Sequence, residues 1–246
     1  MKSIAIIPAR FGSTRLPGKP LLPVGGVPLV VRVAKGVSRS SKVERIVVAT
    51  DDERIAAVAK LGGFEAIITP KDLHSGSDRV AYVAKELQGW DIVLNVQVDD
   101  ALVGPDMIDP LVDVLKSDSS VQVALLVKEI EKKREVENPN VVKVVFRRDG
   151  RALYFSRSPV PYERNPKAPY YKHIGPYAYR RDFLLELAKC PPTPLEHAES
   201  LEMLRILEMG YEIRCVETQR DTIEVDTPED IAALENYLAG RGDEAR

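Results

Sequence analysis

Two adjacent carboxylates, Asp99 and Asp100, stand directly after an apolar run, Ile92-Val93-Leu94-Asn95-Val96. Such a run reads as a buried strand, and acids at its carboxyl end either turn the chain or hold something. A further acid, Asp226, opens a helix after the strand-like "CVET" and a short loop. One or two convergent carboxylates, with phosphate oxygens and water, make up the octahedron that Mg2+ requires. The same acids could equally serve as turn and cap residues.

A cationic counterpart follows the first strand. "PARFGSTRLPGKP" sets Arg10, Arg15 and Lys19 among Gly12, Gly18 and the hydroxyls of Ser13 and Thr14. A loop of this kind can wrap a polyphosphate, its backbone N–H groups and cations sharing the charge, or it can be a basic surface turn. It is not a P-loop: five residues, not four, separate Gly12 from Gly18, and Pro20 follows Lys19 where Ser or Thr is needed. No G-x-G-x-x-G fingerprint is present, which argues against hydride transfer. A third group, Arg157, His173, Tyr177 and Glu202, is polar within otherwise apolar patterns. Arg and His suit the carboxylate of an acidic sugar, and Glu its hydroxyls, although each alone could be a structural hydrogen-bonder.

These residues need a scaffold that converges them. "SIAIIP", "ERIVVAT", "FEAIIT" and "DIVLNVQ" read as strands apolar on both faces, separated by segments of helical spacing such as Val80, Val83, Ala84 and Leu87. That alternation predicts a parallel sheet covered on both sides, with ligands at the carboxyl ends of its strands. From about residue 141 the chain turns strand-rich, which predicts a mixed or antiparallel insertion over about 141–195. "ERNPKAPYY" reads as a mobile loop. Thr227, Pro228 and Asp230 form a helix start, with Ile231, Leu234 and Leu238 as its buried stripe. The tail, about 240–246, reads as disordered.

Composition narrows the class. With 246 residues, 44% hydrophobic and 29% charged, the chain suits one soluble α/β domain. Its apolar runs are too short for a bilayer, and its N-terminus lacks a signal-peptide core, so a cytoplasmic protein is expected. A net charge of −2 gives no general attraction to nucleic acid or membrane, so an anion site must be built locally. Cys190 and Cys215 match no metal spacing and read as reduced thiols.

"IIPARFGSTRLPGKPL", "IVVATDDERI", "SGSDRV", "ALYFSRSPVPY", "HIGPYAYR", "PLEHAESLEMLR" and "VDTPEDI" together resemble the 3-deoxy-manno-octulosonate (KDO) cytidylyltransferases, or CMP-KDO synthetases. The resemblance runs from about Ile4 to Leu238 with the motifs in the same order. It implies a Rossmann-like, mostly parallel α/β sheet flanked by helices, of the nucleotide-diphospho-sugar transferase type, with a smaller mixed or antiparallel dimerisation subdomain. It implies transfer of CMP from CTP to the anomeric hydroxyl of KDO with release of pyrophosphate. It also implies Mg2+ dependence, a homodimer and a place in lipopolysaccharide synthesis. Carried onto this chain, Arg10, Ser13, Arg15 and Lys19 grip the triphosphate, while Ala9, Ser75, Arg79 and Gln97 face the cytidine. Asp99 and Asp226 hold Mg2+, and with Lys19 and Arg15 form the catalytic set. Arg157, His173, Tyr177 and Glu202 bind the sugar acid.

The chain departs from the family pattern at the ligand edge. Where the family reads NVQGDEP, this sequence has Val98 for Gly, Asp100 for Glu and Ala101 for Pro. If the glycine needs a positive φ, Val98 would add about 1–3 kcal/mol of strain. Pro176, Met203 and Glu224 replace an apolar residue, a Gln and a Gly; Pro176 removes an N–H from a strand and Glu224 adds negative charge. These changes leave open a cytidylyltransferase for another acidic sugar, such as an amino-substituted KDO, or a CTP-binding homologue with little turnover.

Overall fold

The computed structural model describes residues 1–12, 16–73, 75–165 and 168–240. Ser13, Arg15, part of the loop expected at 163–171 and the tail from 241 therefore lie outside the described residues; Gly240 ends the last helix.

The first half alternates as its periodicity requires. β1 (Ser3–Ala9) leads through a 3-10 turn (Lys19–Leu21) and a small hairpin, β2 (Pro23–Val24) and β3 (Val27–Pro28), into α1 (Leu29–Ser38). Then come β4 (Arg45–Thr50), α2 (Glu53–Leu61), β5 (Glu65–Ile68), α3 (Gly76–Glu86), β6 (Ile92–Asn95) and α4 (Pro105–Ser117). The second half supplies β7 (Val123–Glu129), α5 (Lys133–Glu137), β8 (Lys143–Phe146), β9 (Ala152–Ser156) and β10 (Tyr171–Arg180). It closes with α6 (Arg181–Leu187), α7 (Pro194–Glu199), α8 (Met203–Glu208), β11 (Ile213–Glu217) and α9 (Pro228–Gly240).

The main sheet runs β11-β7-β10-β6-β1-β4-β5, with the β8–β9 hairpin attached through β10. β6, β1, β4 and β5 are mutually parallel, as are β7 and β11, while β10 runs antiparallel to both its neighbours. The segment expected as an insertion thus gives β8, β9 and β10, and β10 is built into the middle of the sheet. β1 shows why both faces are covered. Ala5, Ile7 and Ala9 point into one apolar cluster with α1, α2 and α4; Ile4 and Ile6 point into another with α3, α6 and α8.

Pro176 is accommodated by a bulge. The β10–β7 register passes from Ile174 opposite Leu126 to Tyr177 opposite Leu125, so Gly175 and Pro176 are surplus to the ladder. A residue without an N–H is tolerated at such a point because no ladder bond is asked of it. Val98 does not carry the strain considered above: among the described residues only Ser200 has a positive φ outside glycine. Val98 and Ala101 are 7% and 6% exposed and pack into the α1–α4 cluster. Met203 is 4% exposed and packs into the other.

One close approach holds the acid-bearing turn against α1. The turn after β6 closes through Asp100 N–H to Gln97 O (3.1 Å), Ala101 N–H to Asp99 O (2.8 Å) and Val103 N–H to Asp100 O (3.0 Å). A Cβ on Gly36 of α1 would lie 2.3 Å from the Val103 carbonyl oxygen. Gly36→Ala must push the helix and this turn apart, at a cost of about 2–3 kcal/mol. Urea unfolding would measure the loss, and a variant as stable as the parent would refute this packing.

Candidate active site

β1, β4 and β6 end side by side, and the functional side chains gather on the segments that leave them. The loop after β1 is anchored first. Asp51, just beyond β4, accepts the Phe11 N–H at 3.2 Å, and the Arg54 guanidinium lies 3.8 Å over the Phe11 ring. Gly18 turns the chain at φ 71°, giving its N–H to Phe11 O at 3.0 Å, and the 3-10 turn directs Lys19 inward.

Lys19 is 7% exposed, and its Nζ donates to Asp99 Oδ2 at 2.8 Å and Asp226 Oδ1 at 3.2 Å. Asp226 is set by the start of α9. Asp230 Oδ2 accepts the N–H groups of Asp226 (3.0 Å) and Thr227 (2.8 Å) together with the Thr227 hydroxyl (2.9 Å). The helix start read from Thr227, Pro228 and Asp230 therefore does more than cap: it aims a carboxylate. Two carboxylates from separate elements meeting at one cation form a donor set of the kind Mg2+ takes alongside phosphate.

The other residues expected at the nucleotide are placed as follows. Ala9 is the buried last residue of β1, and Arg10 follows it on the surface. Arg79 is 2% exposed and donates to Thr69 Oγ, to Pro70 O (3.2 Å) and to Asp51 Oδ2 (3.3 Å). Burial lowers its pKa, Asp51 opposes that shift, and the charge of nearby Arg10 adds to it. Ser75 caps α3, accepting the Asp78 N–H at 3.0 Å while Asp78 accepts the Ser75 N–H at 3.1 Å. Gln97 donates to Asn95 Oδ1 at 2.7 Å and stands over Gly76, where a Cβ would meet its amide at 3.1–3.2 Å.

From Gln97 a chain of polar contacts runs under the site. Asn95 Nδ2 donates to Ser77 Oγ at 3.2 Å, the Ser77 hydroxyl donates to Glu202 Oε2, and Arg205 donates to Glu202 Oε1 at 3.1 Å. Asn95, Ser77 and Asp51 belong to the site and were not singled out from the sequence. For Asn95 the signal was present, an amide inside an apolar strand run.

This chain lines one wall of a cavity of about 320 Å3, whose other walls include Asp99, Asp100, His173, Gly175, Tyr177 and Glu224. Of the four residues expected at the sugar, His173, Tyr177 and Glu202 line it. Arg157 does not: its guanidinium donates to the carbonyls of Glu199 (2.7 Å), Pro139 (2.9 Å) and Ser200 (3.3 Å). Burial pulls the His173 pKa down to about 4 and pushes Tyr177 well up, the latter helped by Glu202, Asp100 and Glu224. Burial raises Glu202 as well, against the pull of Ser77 and Arg205. Asp100 is driven furthest from an ordinary carboxyl, upward, by burial and then by Asp99 and Glu224, with Lys19 opposing. Cys215 lies elsewhere, its thiol pushed up to about 12 by burial and so unreactive.

The family model described as "Cytidylyltransferase" matches residues 4–214. The 3-deoxy-manno-octulosonate cytidylyltransferase of Geobacter metallireducens is 45% identical, over 97% of this chain and 98% of its own. That of Fusobacterium nucleatum is 43% identical over 97% of each. Among solved structures, a CMP:2-keto-3-deoxy-manno-octonic acid synthetase complexed with CTP superposes with a TM-score of 0.94 at 40% identity, covering 98% of this chain and all of the other. A cytidylyltransferase from Leptospira borgpetersenii, at 20% identity and a TM-score of 0.67, shares the fold, covering 98% of this chain and 87% of its own. No helix among the described residues is long and apolar enough to cross a membrane. On the extent and closeness of these matches, the chain belongs to the 3-deoxy-manno-octulosonate cytidylyltransferase family.

Proposed function

We propose that this cytidylyltransferase joins CMP from CTP to the anomeric hydroxyl of 3-deoxy-D-manno-octulosonate and releases pyrophosphate; its relatives carry the name 3-deoxy-manno-octulosonate cytidylyltransferase. The observation that carries the reading is the convergence of Asp99 and Asp226 on Lys19, between the loop after β1 and the cavity. The sugar oxygen bonds to the α-phosphorus, the bond from that phosphorus to the β-phosphate oxygen breaks, and the hydroxyl proton is lost.

Each part of the chain has a task in that step. Lys19 and Arg10, with Ser13 and Arg15 of the same loop, bear on the triphosphate. Ala9, Ser75, Arg79 and Gln97 bear on the cytidine, and the anchoring of Arg79 and Gln97 leaves them little entropy to lose on binding. His173, Tyr177 and Glu202 line the wall where the sugar sits, and Arg157 supports the Glu199–Ser200 backbone that leads into Glu202. Asp99 and Asp226 are the residues that would hold Mg2+, whose charge offsets that building on the phosphate oxygens. Holding the sugar oxygen in line with the phosphorus supplies the rest of the acceleration. The proposal includes a homodimer, cytoplasmic and serving lipopolysaccharide synthesis, and sedimentation velocity tests the first of these.

Pyrophosphate release from CTP and Mg2+ should depend on KDO, and Asp99→Ala and Asp226→Ala should each lower kcat/KM by about 10²–10³-fold. CTP binding without KDO-dependent release would make the chain a nucleotide-binding homologue and overturn the proposal.

The imidazole in the cavity wall adds a pH signature. His173 titrates at about 4 when folded, against an ordinary value near 6.5. Its neutral form is therefore favoured by folding, a contribution complete above pH 6.5 and lost as pH falls towards 4. Between pH 7 and pH 5 the loss is about 2 kcal/mol. Urea unfolding at both values should show His173→Asn losing less stability than the parent, and parallel losses would contradict the assignment.

A further inference from the structure

Asp100 is the acid that the proposed reaction leaves without a task. It is 2% exposed, it lines the cavity, and its Oδ2 has no hydrogen-bond partner among the described residues. Leaving a buried carboxyl oxygen unpaired costs free energy, so such a group persists where function keeps it or where something else completes it. The turn does not need it, because the bonds that close the turn use the Asp100 backbone and not its side chain. Neighbouring features are shaped around it. Gly175 lies so close that a Cβ there would meet Asp100 Oδ2 at 2.7 Å, and the β10 bulge at Gly175 and Pro176 presents this backbone to the cavity. On the other side, Asp100 forms a backbone bridge with Glu224.

We propose that Asp100 is a specificity-determining residue, whose Oδ2 accepts a hydrogen bond from a donor on the acceptor sugar. This rests on the cytidylyl transfer proposed above and says what the sugar must present. The donor is an O–H or N–H, not a carboxylate, because the cavity lining offers Asp99, Asp100, Glu202 and Glu224 and neither lysine nor arginine. Glycine at 175 is the residue that leaves Oδ2 room to meet it.

The test compares the full-length parent with Asp100→Asn and Gly175→Ala, using KDO and an amino-substituted KDO as acceptors. Three quantities are read: CTP affinity, sugar kcat/KM and Tm. Asp100→Asn should leave CTP affinity unchanged and raise Tm by about 2–4 °C, since an amide is less costly to bury than a carboxyl between acids. Its sugar kcat/KM should fall about tenfold if the donor is a hydroxyl. It should fall a hundredfold or more, with the amino sugar alone, if the donor is an ammonium. Gly175→Ala, which displaces the Asp100 carboxyl without removing it, should raise the sugar KM while leaving CTP affinity unchanged. Unchanged sugar kinetics in Asp100→Asn with both sugars would overturn the proposal while the cytidylyl-transfer reading stood. A parent inactive with every acidic sugar would overturn both.

Discussion

The site depends on one buried ammonium. Lys19 lies between Asp99 and Asp226, which its Nζ places within about 6 Å of each other, close enough to repel unless a cation intervenes. The three residues come from three distant parts of the chain, the loop after β1, the turn after β6 and the start of α9. Their ion pairs therefore pin the ends of two central strands to the last helix. Burying a charge is costly unless its partners are close and well aimed. Here the aim is set on each side by local chemistry: Gly18 and the 3-10 turn direct Lys19, the backbone of the Gln97–Val103 turn presents Asp99, and Asp230 orients Asp226.

A second line of polar groups joins the two halves of the site. Gln97, Asn95, Ser77 and Glu202 connect the β6 end and the α3 start to the segment before α8. Each member is buried or partly buried, and each uses its partner's remaining capacity, which is what makes such a network rigid and not merely polar. It ties the β6 end, the start of α3 and the segment before α8 together along one wall of the cavity.

Much of this was legible in the sequence, and the failures have physical causes. Alternating apolar strands and helical spacings gave the parallel half, because period and burial on both faces are properties of the segment itself. The place of β10 in the middle of the sheet was not readable, since antiparallel insertion depends on pairing across distant segments. Asp99, Lys19 and Asp226, which the structure brings together, could be singled out because residue type and element end are local features. Arg157 could not be placed, because the carbonyls it serves belong to backbone conformations at Pro139, Glu199 and Ser200. Strain at Val98 was conditional on a positive φ there, and its turn needs none.

The departures from the family pattern divide by the direction in which their side chains face. Val98, Ala101 and Met203 turn inward to apolar clusters, where an aliphatic group of suitable volume is accepted with little consequence. Asp100 and Glu224 line the cavity, and Pro176 sits in the β10 bulge beside Gly175, which also lines it. Val98 and Ala101 therefore pack the acid-bearing turn and Met203 packs the other cluster, while Asp100 and Glu224 alter what the cavity offers a ligand. Lys19, Asp99 and Asp226 match the family motifs that carry them. On the proposed reading, a chain that keeps this charge centre while changing the wall beside it retains the means to act on a triphosphate. On the proposed reading, what it changes is the set of polar atoms offered to the acceptor.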